Sequence, residues 1–475
     1  MFFLPNSPHL TTIQQLSKQR KVKVYLVGGF WRDLLLGRPE VDLDFALKKG
    51  AVPFAKAFAR RIKGAFVLLD AEHRCARVVK KIDGRPVTFD FADFRAPTLA
   101  GDLAHRDFTI NTLCAELGEL KGPAEPLKIL KKQKKALGDL AARRIRMASA
   151  KAFAEDPLRL LRAYSLRAML DFSIEPKTLA QLRKNRSLLR EVSYERIRDE
   201  FFKILSSGRA ARTLREMDRA GILAIVIPQV QIMYDCHQGG YHHLDVWNHS
   251  LEVVAQFEKV LEETRNDPDV AAYMNEPLAG ESRRRYALVK LAVLLHDVGK
   301  PQTKKVEPDR TSFHGHERVG KYITRAVAKM LKLSTKERYI LEDIVLWHLR
   351  PGYLSNFKQP SERMIFRFLR DSKEEAASIL LMSLADQRST RGPLTTEEDQ
   401  SHHENICLGL TKRFFDKKKE VPLVRLIDGN DLIKVLKLKP GPAFSKILRA
   451  VEEQQALGKV RTREEALKVA RACSG

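Results

Sequence analysis

At 475 residues the chain is too long for one hydrophobic core and should hold about three or four domains, with 44% apolar and 30% charged residues, ordinary for a soluble globular protein. Lys and Arg number 85 against 59 Asp and Glu, and the resulting charge of +26 argues for a polyanionic partner, nucleic acid first. Five scattered cysteines without a C-x-x-C argue against a disulfide framework or zinc knuckle and fit a cytoplasmic setting, and no apolar run or single basic amphipathic helix points to a membrane.

In chain order, residues 1–20 read as a leading helix. From Lys23 to about Phe94, strand-like pieces (Val24–Val27, Val41–Phe45, Ala65–Leu69, Ala76–Val79, Val87–Phe91) alternate with helical ones such as Pro53–Ile62, the pattern of an α+β unit on a small sheet. Within it, Leu26–Leu47 carries chemistry. An apolar run leads into Gly28-Gly29, then Arg32-Asp33, and Val41–Phe45 alternates with a period of two that sets Asp42 and Asp44 on one face. Two carboxylates side by side repel unless a cation neutralises them, and oxygen-only ligands suit Mg²⁺. The paired glycines let backbone approach a phosphate closely. The D-x-D alone fits a surface strand with two solvated aspartates equally well.

Ala104–Asn111 (A-H-R-D-F-T-I-N) suits a turn into a helix, where Arg106 or Asp107 holds a ribose or phosphate, or caps the helix beside a surface ion pair. Lys128–Lys135 is a basic run, either a solvated helix face or an RNA contact. Beyond about Lys151 strand signals nearly vanish. In Glu155–Arg162, Pro157 fits a first helical turn, so Asp156, Arg159 and Arg162 should lie within about one third of the helix circumference. One acceptor and two forked donors can read a base edge or bind phosphates; the same spacing also gives ordinary i, i+3 contacts. Ser193–Ile197 reads as another capped helix start, and Arg265–Arg285 as a loop between helices.

Further on, His249 (V-W-N-H-S), His296-Asp297 (L-L-H-D-V-G-K), His316 (F-H-G-H-E), His348 (L-W-H-L-R) and Asp386 (S-L-A-D-Q) are spread over the helical half. An adjacent His-Asp ending an apolar helix, with distant His and Asp around it, suits a divalent metal of mixed nitrogen and oxygen ligation. Each histidine alone is as readily a core or surface residue. From about Val421 the tail carries glycine turns at Gly429 and Gly441 among many Lys and Arg, fit for a phosphate backbone or for a closing helical hairpin.

The order G-G-x-x-R-D…D-x-D, R-D-F-T-I-N, E-D-x-x-R-x-x-R and E-R-I resembles the class II tRNA nucleotidyltransferase and poly(A) polymerase family over roughly residues 22–235. The resemblance implies a polymerase-β-type head (1–150), a helical neck (151–235), an HD-type metal domain (240–400) and an RNA-binding tail (401–475). It implies that Gly28, Gly29 and Arg32 meet the nucleoside triphosphate, that Asp42 and Asp44 hold two Mg²⁺, and that Arg106 and Asp107 recognise ribose. Asp156 and Arg159 would pair with the base of ATP or CTP, with Arg162 beside the nucleotide. The His-Asp cluster looks like an HD phosphohydrolase set of His249, His296, Asp297 and Asp386, with His316 and His348 available to a second metal.

Three departures stand out: His105 where the family commonly has Arg, Ser165 where Arg is frequent (with Arg167 close by), and Ala136–Leu140 matching only the end of the family's flexible loop. The expected function is template-independent addition of all or part of CCA to tRNA 3′ ends from CTP and ATP. The alternatives are a poly(A) polymerase, an enzyme adding only CC or only A, or an HD phosphohydrolase acting on RNA ends or nucleotides.

Overall fold

Six strands form one mixed sheet: β1 (Val24–Val27), β2 (Asp42–Leu47), β3 (Ala65–Asp70), β4 (Cys75–Ile82), β5 (Arg85–Asp93) and β6 (Cys114–Glu116), in the order β3-β4-β5-β2-β1-β6. β2 and β5 run parallel, and every other neighbouring pair is antiparallel. This computed structural model describes residues 7–38, 42–82, 84–120, 125–239, 243–279, 283–308, 311–392, 395–420 and 424–474. Val41, Gly280 and Val421 therefore lie outside the described residues. All five strands expected from alternation are present. β6 was not anticipated, since three residues are too few for a period-two signal. Its edge is tied by a side chain: Gln133 accepts from the Cys114 N–H (3.0 Å) and donates to its carbonyl (2.6 Å).

Helix α1 (Pro8–Arg20) precedes the sheet, α2 (Gly29–Leu35) follows β1, and α3 (Ala51–Ile62) follows β2. Helical spacing puts Phe54, Ala55, Phe58 and Ala59 of α3 on one buried face. Phe54 and Phe58 pack on Phe91, and Phe45 stacks on Phe91 with ring centroids 4.8 Å apart. The first turn of α3 is satisfied from β5, where Asp93 Oδ1 accepts from the Ala51 N–H at 2.7 Å. This apolar layer holds the strand bearing Asp42 and Asp44 rigid.

The described chain divides into two compact units, one reaching Ile204 and including Met217–Val226, the other Leu205–Glu216 with the chain from Ile227 onward. In the first, the sheet is followed by the helices Lys134–Ala141, Arg159–Leu170 and Pro176–Asn185. The basic run at Lys128–Lys135 is not one helix: helices Glu125–Leu130 and Lys134–Ala141 flank a break. Ala136–Leu140 is helical rather than a loop, and the buried Asp139 holds Arg146 (2.9 Å) and Thr109 (2.7 Å).

The second unit is built of helices, chiefly Val246–Glu263, Arg285–Leu295, His316–Met330, Thr335–Trp347 and Ala376–Ser389. Arg285–Leu295 is buried along its length; its one lysine, Lys290, is neutralised by Glu258 at 2.9 Å. The stretch Arg265–Arg285 is not simply a loop. It contains helix Pro268–Met274, capped by Asp267 and led by Pro268 at the first position, where a missing N–H costs nothing. The tail has its own small core of Ile427, Leu432, Ile447, Val451, Val460, Ala466 and Ala470.

Candidate functional site

In the sheet unit, β1 leads into Gly28, which caps α2 beside β2. Val27 is opposite Asp44, and Asp44 is opposite Asp90 of parallel β5. Gly28 has φ +88°, and a Cβ there would lie 3.0 Å from Asp44 Oδ2 and 3.3 Å from Arg106 Nη1. Both the backbone angle and the space call for glycine. Trp31, fully buried, donates from Nε1 to the Leu26 carbonyl at 2.7 Å and pins α2 against β1. Burial pushes the Asp44 carboxyl above its usual range and Asp90 adds to this, while Arg106 opposes it. Asp42 accepts from Thr88 Oγ1 at 2.5 Å, and Asp90 is gripped by Arg77 through two bonds of 2.7 Å. Three carboxylates thus stand on two adjacent strands, an oxygen-only set that fits a hard divalent cation. Asp90 was missed because V-T-F-D-F-A-D carries no mark of pairing with β2.

Three of the expected nucleotide residues, Arg32, Asp107 and Arg162, are joined in one polar chain. Arg32 donates to Asn111 Oδ1 at 2.6 Å and also pairs with Asp33. Asn111 donates from Nδ2 to Asp107 at 3.0 Å, and Asp107 pairs with Arg162 Nε at 2.8 Å. Burial alone would raise the Asp107 carboxyl, but Arg162, Asn111 and the Phe108 N–H hold it below the usual range. Asn111 was quoted within its motif but given no role; here it links Arg32 to Asp107.

Asp156 departs from expectation. The helix begins at Arg159, and Asp156 precedes it with extended backbone (φ −148°, ψ 99°), so the three residues do not share a helix face. Asp156 pairs instead with Arg196 at 3.1 Å, which gives the otherwise silent S-Y-E-R-I stretch a role. Arg159 is buried and donates to the carbonyls of His105 (2.6 Å) and Ala152 (3.0 Å). His105 pairs through Nδ1 with Glu155 at 3.0 Å. Ser165 is buried and hydrogen-bonded to Glu200, while Arg167 turns away to the Phe172 carbonyl (3.0 Å), so it does not replace the arginine expected at 165.

In the helical unit every histidine and aspartate of the expected cluster converges. His249, His296 and Asp386 form one group and Asp297, His316 and His348 another, with the ligand atoms of each within 4.8 Å of one another. His249 Nε2 is 2.9 Å from Asp386 Oδ1, and Asp297 faces His296 through Oδ2 (3.0 Å) and His316 through Oδ1 (3.3 Å). Nδ1 of His296, His316 and His348 is hydrogen-bonded to the carbonyls of Val293, Phe313 and Val345 at 2.7–2.8 Å. These bonds aim each Nε2 inward. Burial and the neighbouring His316 and His296 push His348 down to about 3, so its ring is neutral at physiological pH. His296 Nε2 and Asp297 Oδ2 are fully buried and 3.0 Å apart, yet no aligned hydrogen bond joins them. The residues fit a two-ion site.

Lys300, in the same H-D-V-G-K stretch, was not expected: its Nζ lies 2.7 Å from Asp297 Oδ2 and 2.6 Å from Gln238 Oε1. Gly299 was also overlooked. A Cβ there would fall 2.2 Å from the His316 carbonyl oxygen and 2.6 Å from the Gly320 nitrogen, so the His-Asp turn meets the His316 helix backbone to backbone.

A mixed sheet bearing a carboxylate cluster, followed by a helical domain with a His-Asp metal set, is the build of a nucleotidyltransferase with an HD domain. Four families match in succession: "Poly A polymerase head domain" over residues 24–134, "Probable RNA and SrmB- binding site of polymerase A" over 171–233, "HD domain" over 246–391, and "tRNA nucleotidyltransferase domain 2 putative" over 418–470. The chain is 32% identical to an A-adding tRNA nucleotidyltransferase of Deinococcus radiodurans, covering 93% of each chain. It is 30% identical to a CC-adding tRNA nucleotidyltransferase of Geobacter sulfurreducens, covering 97% of this chain and 94% of the relative. Its fold is that of the Thermotoga maritima CCA-adding enzyme solved with tRNA, at a TM-score of 0.60 and 20% identity, covering 98% of this chain and 95% of that one. The chain belongs to the tRNA nucleotidyltransferase and poly(A) polymerase family and is an enzyme of the nucleotidyltransferase class.

The glycine at the strand end gives a first test. Gly28→Ala should cost about 1–2 kcal/mol of stability from the left-handed backbone. Displacement of Asp44 should lower nucleotide incorporation roughly a hundredfold. Thermal unfolding and single-nucleotide incorporation measure the two separately; a variant with wild-type kinetics would remove the need for close approach at this turn.

Proposed function

We propose that the chain adds all or part of CCA to tRNA 3′ ends from CTP and ATP, selecting the base without a nucleic-acid template. The observation that carries this reading is the contact chain Arg32–Asn111–Asp107–Arg162, which joins three separate motifs in the same unit as Asp42, Asp44 and Asp90. Gly28 and Gly29 bring backbone to the triphosphate, and Arg32 meets its charge. Arg106 and Asp107 hold the ribose. Asp156 and Arg159 read the base edge once they exchange their present partners, Arg196 and the carbonyls of Ala152 and His105, for the nucleotide. Asp42 and Asp44, with Asp90 beside them, would hold two Mg²⁺, which when bound supply alignment of the 3′-hydroxyl with the α-phosphate and neutralise the leaving pyrophosphate. The net charge of +26 supports binding tRNA through its backbone and shape. Five free thiols support a reducing, cytoplasmic setting; among the described residues no helix is long and apolar enough to cross a membrane.

Relatives named for A addition and for CC addition leave the base open. Transcripts ending at the discriminator base, at C and at CC, each given CTP or ATP alone, separate full CCA addition from either half. Long A tails on unrelated RNA would overturn the tRNA reading in favour of a poly(A) polymerase.

A second reading, phosphoester hydrolysis by the helical unit on RNA ends or nucleotides, is favoured by two adjacent triads, with His296 of one 3.0 Å from Asp297 of the other. His249, His296 and Asp386 would hold one divalent ion, and Asp297, His316 and His348 the other. Such an ion supplies a lowered water pKa and a polarised phosphoryl oxygen.

A further inference from the structure

Arg159 opens helix Arg159–Leu170 and is buried. Two backbone carbonyls hold its guanidinium: Nη2 donates to His105 at 2.6 Å and Nη1 to Ala152 at 3.0 Å. The His105 carbonyl follows the last turn of helix Leu99–Ala104, where carbonyls lack partners within the helix, and Arg95 shares it at 3.4 Å. Both acceptors are fixed by the elements that carry them. The third contact is to a side chain: Glu155 Oε2 lies 3.5 Å from Nη1 at i, i+4 spacing.

Glu155 is in turn held by His105. The ring Nδ1 lies 3.0 Å from Glu155 Oε1, and since an ionised carboxylate only accepts, the ring N–H donates. His105 therefore meets Arg159 twice, through its own carbonyl and through the carboxylate of Glu155. The side chains of His105 and Glu155 are 41% and 27% exposed and that of Arg159 6%, so the path leads from the surface to a buried guanidinium. Among the described residues, no other side chain lies within hydrogen-bond distance of Arg159 or of the Glu155 carboxylate. When Arg159 gives up the two carbonyls for a base, they stay behind with the backbone. Glu155 is the one partner able to turn with the guanidinium, and a fork without it keeps its rotamer freedom. A base edge is discriminated by donors held at fixed positions, so this tether bears on selection and not on the chemical step.

We propose that His105 is a positioning residue for base selection, fixing Glu155 so that Arg159 presents one orientation to the base of the incoming nucleotide. The proposal rests on Arg159 reading that base. The test measures kcat and KM for CTP and for ATP on the tRNA transcript that the wild-type chain extends best, and the Kd of each nucleotide without tRNA. His105→Ala is expected to lower the preference between the two nucleotides, as a ratio of kcat/KM, roughly tenfold, through a higher KM for the preferred one with kcat within about twofold of wild type. His105→Asn, whose amide N–H stands where the Nδ1–H does, should restore both the ratio and the KM. An unchanged ratio in His105→Ala overturns the proposal, as does His105→Asn behaving like it. An equal loss towards both nucleotides with a lower melting temperature also overturns it and leaves His105 a purely structural contact. If the wild-type chain extends no tRNA, the addition reading fails. A Kd ratio that falls in His105→Ala and recovers in His105→Asn then upholds the role of His105, and an unchanged Kd ratio overturns it.

Discussion

Asp44→Asn is expected to lower nucleotide incorporation into tRNA roughly a thousandfold or more, about 4 kcal/mol of transition-state stabilisation, while Asp297→Asn leaves it near the wild-type rate. Asp44 is opposite Asp90 on parallel strands and faces the Gly28 turn, so its side chain is held where charge must be neutralised. Removing one oxygen ligand from an oxygen-only set lowers both cation affinity and alignment. The fold should survive, because the packing of β2 rests on Phe45, Ala46 and Leu47, which are buried behind the carboxylate. Incorporation of labelled CTP or ATP with thermal unfolding as the control measures both. If Asp297→Asn abolished incorporation and Asp44→Asn spared it, the roles of the two units would have to be exchanged.

Gly299→Ala should damage the other centre. The new methyl carbon would sit 2.2 Å from the His316 carbonyl oxygen and 2.6 Å from the Gly320 nitrogen, and both of those atoms are backbone. Neither can rotate away, so the helix His316–Met330 must shift and carry His316 off Asp297, from which it is now 3.3 Å. Overpacking of this kind costs about 3 kcal/mol. Divalent metal retained after dialysis, read by elemental analysis, should fall well below the wild-type level, and so should hydrolysis of a phosphoester by the metal-loaded chain. Wild-type metal content with unchanged melting would show that the backbone contact is not needed to assemble the site.

Much of this was legible before any coordinates, for identifiable reasons. The alternation of β2, the helical spacing of Phe54 and Phe58, and the apolar run before His296-Asp297 are local periodicities that report burial directly. The six histidines and aspartates of the helical unit were recognisable together because their residue types carry metal chemistry, whatever their spacing. Other features had no local signal. Asp90 becomes a neighbour of Asp44 only through a parallel pairing, Asn111 gains its role from a contact with Arg32 across 79 positions, and Asp139 proves to be a buried anchor inside a helix. Reading Asp156 as part of a helix face failed because the helix starts three residues later, at Arg159.

By itself, then, the sequence determined the α+β head followed by helices, the candidate catalytic carboxylates Asp42 and Asp44, the His-Asp set, and the charge excess from which a polyanionic partner is proposed, since each depends on composition or on neighbours along the chain. Only the tertiary structure decided which side chains face one another: the third carboxylate, the Arg32–Asn111–Asp107–Arg162 chain, the glycine contact behind His316, and the His105 ring on Glu155. Those depend on strand order and helix packing, which join residues far apart in sequence through distances of a few ångströms that no local pattern encodes.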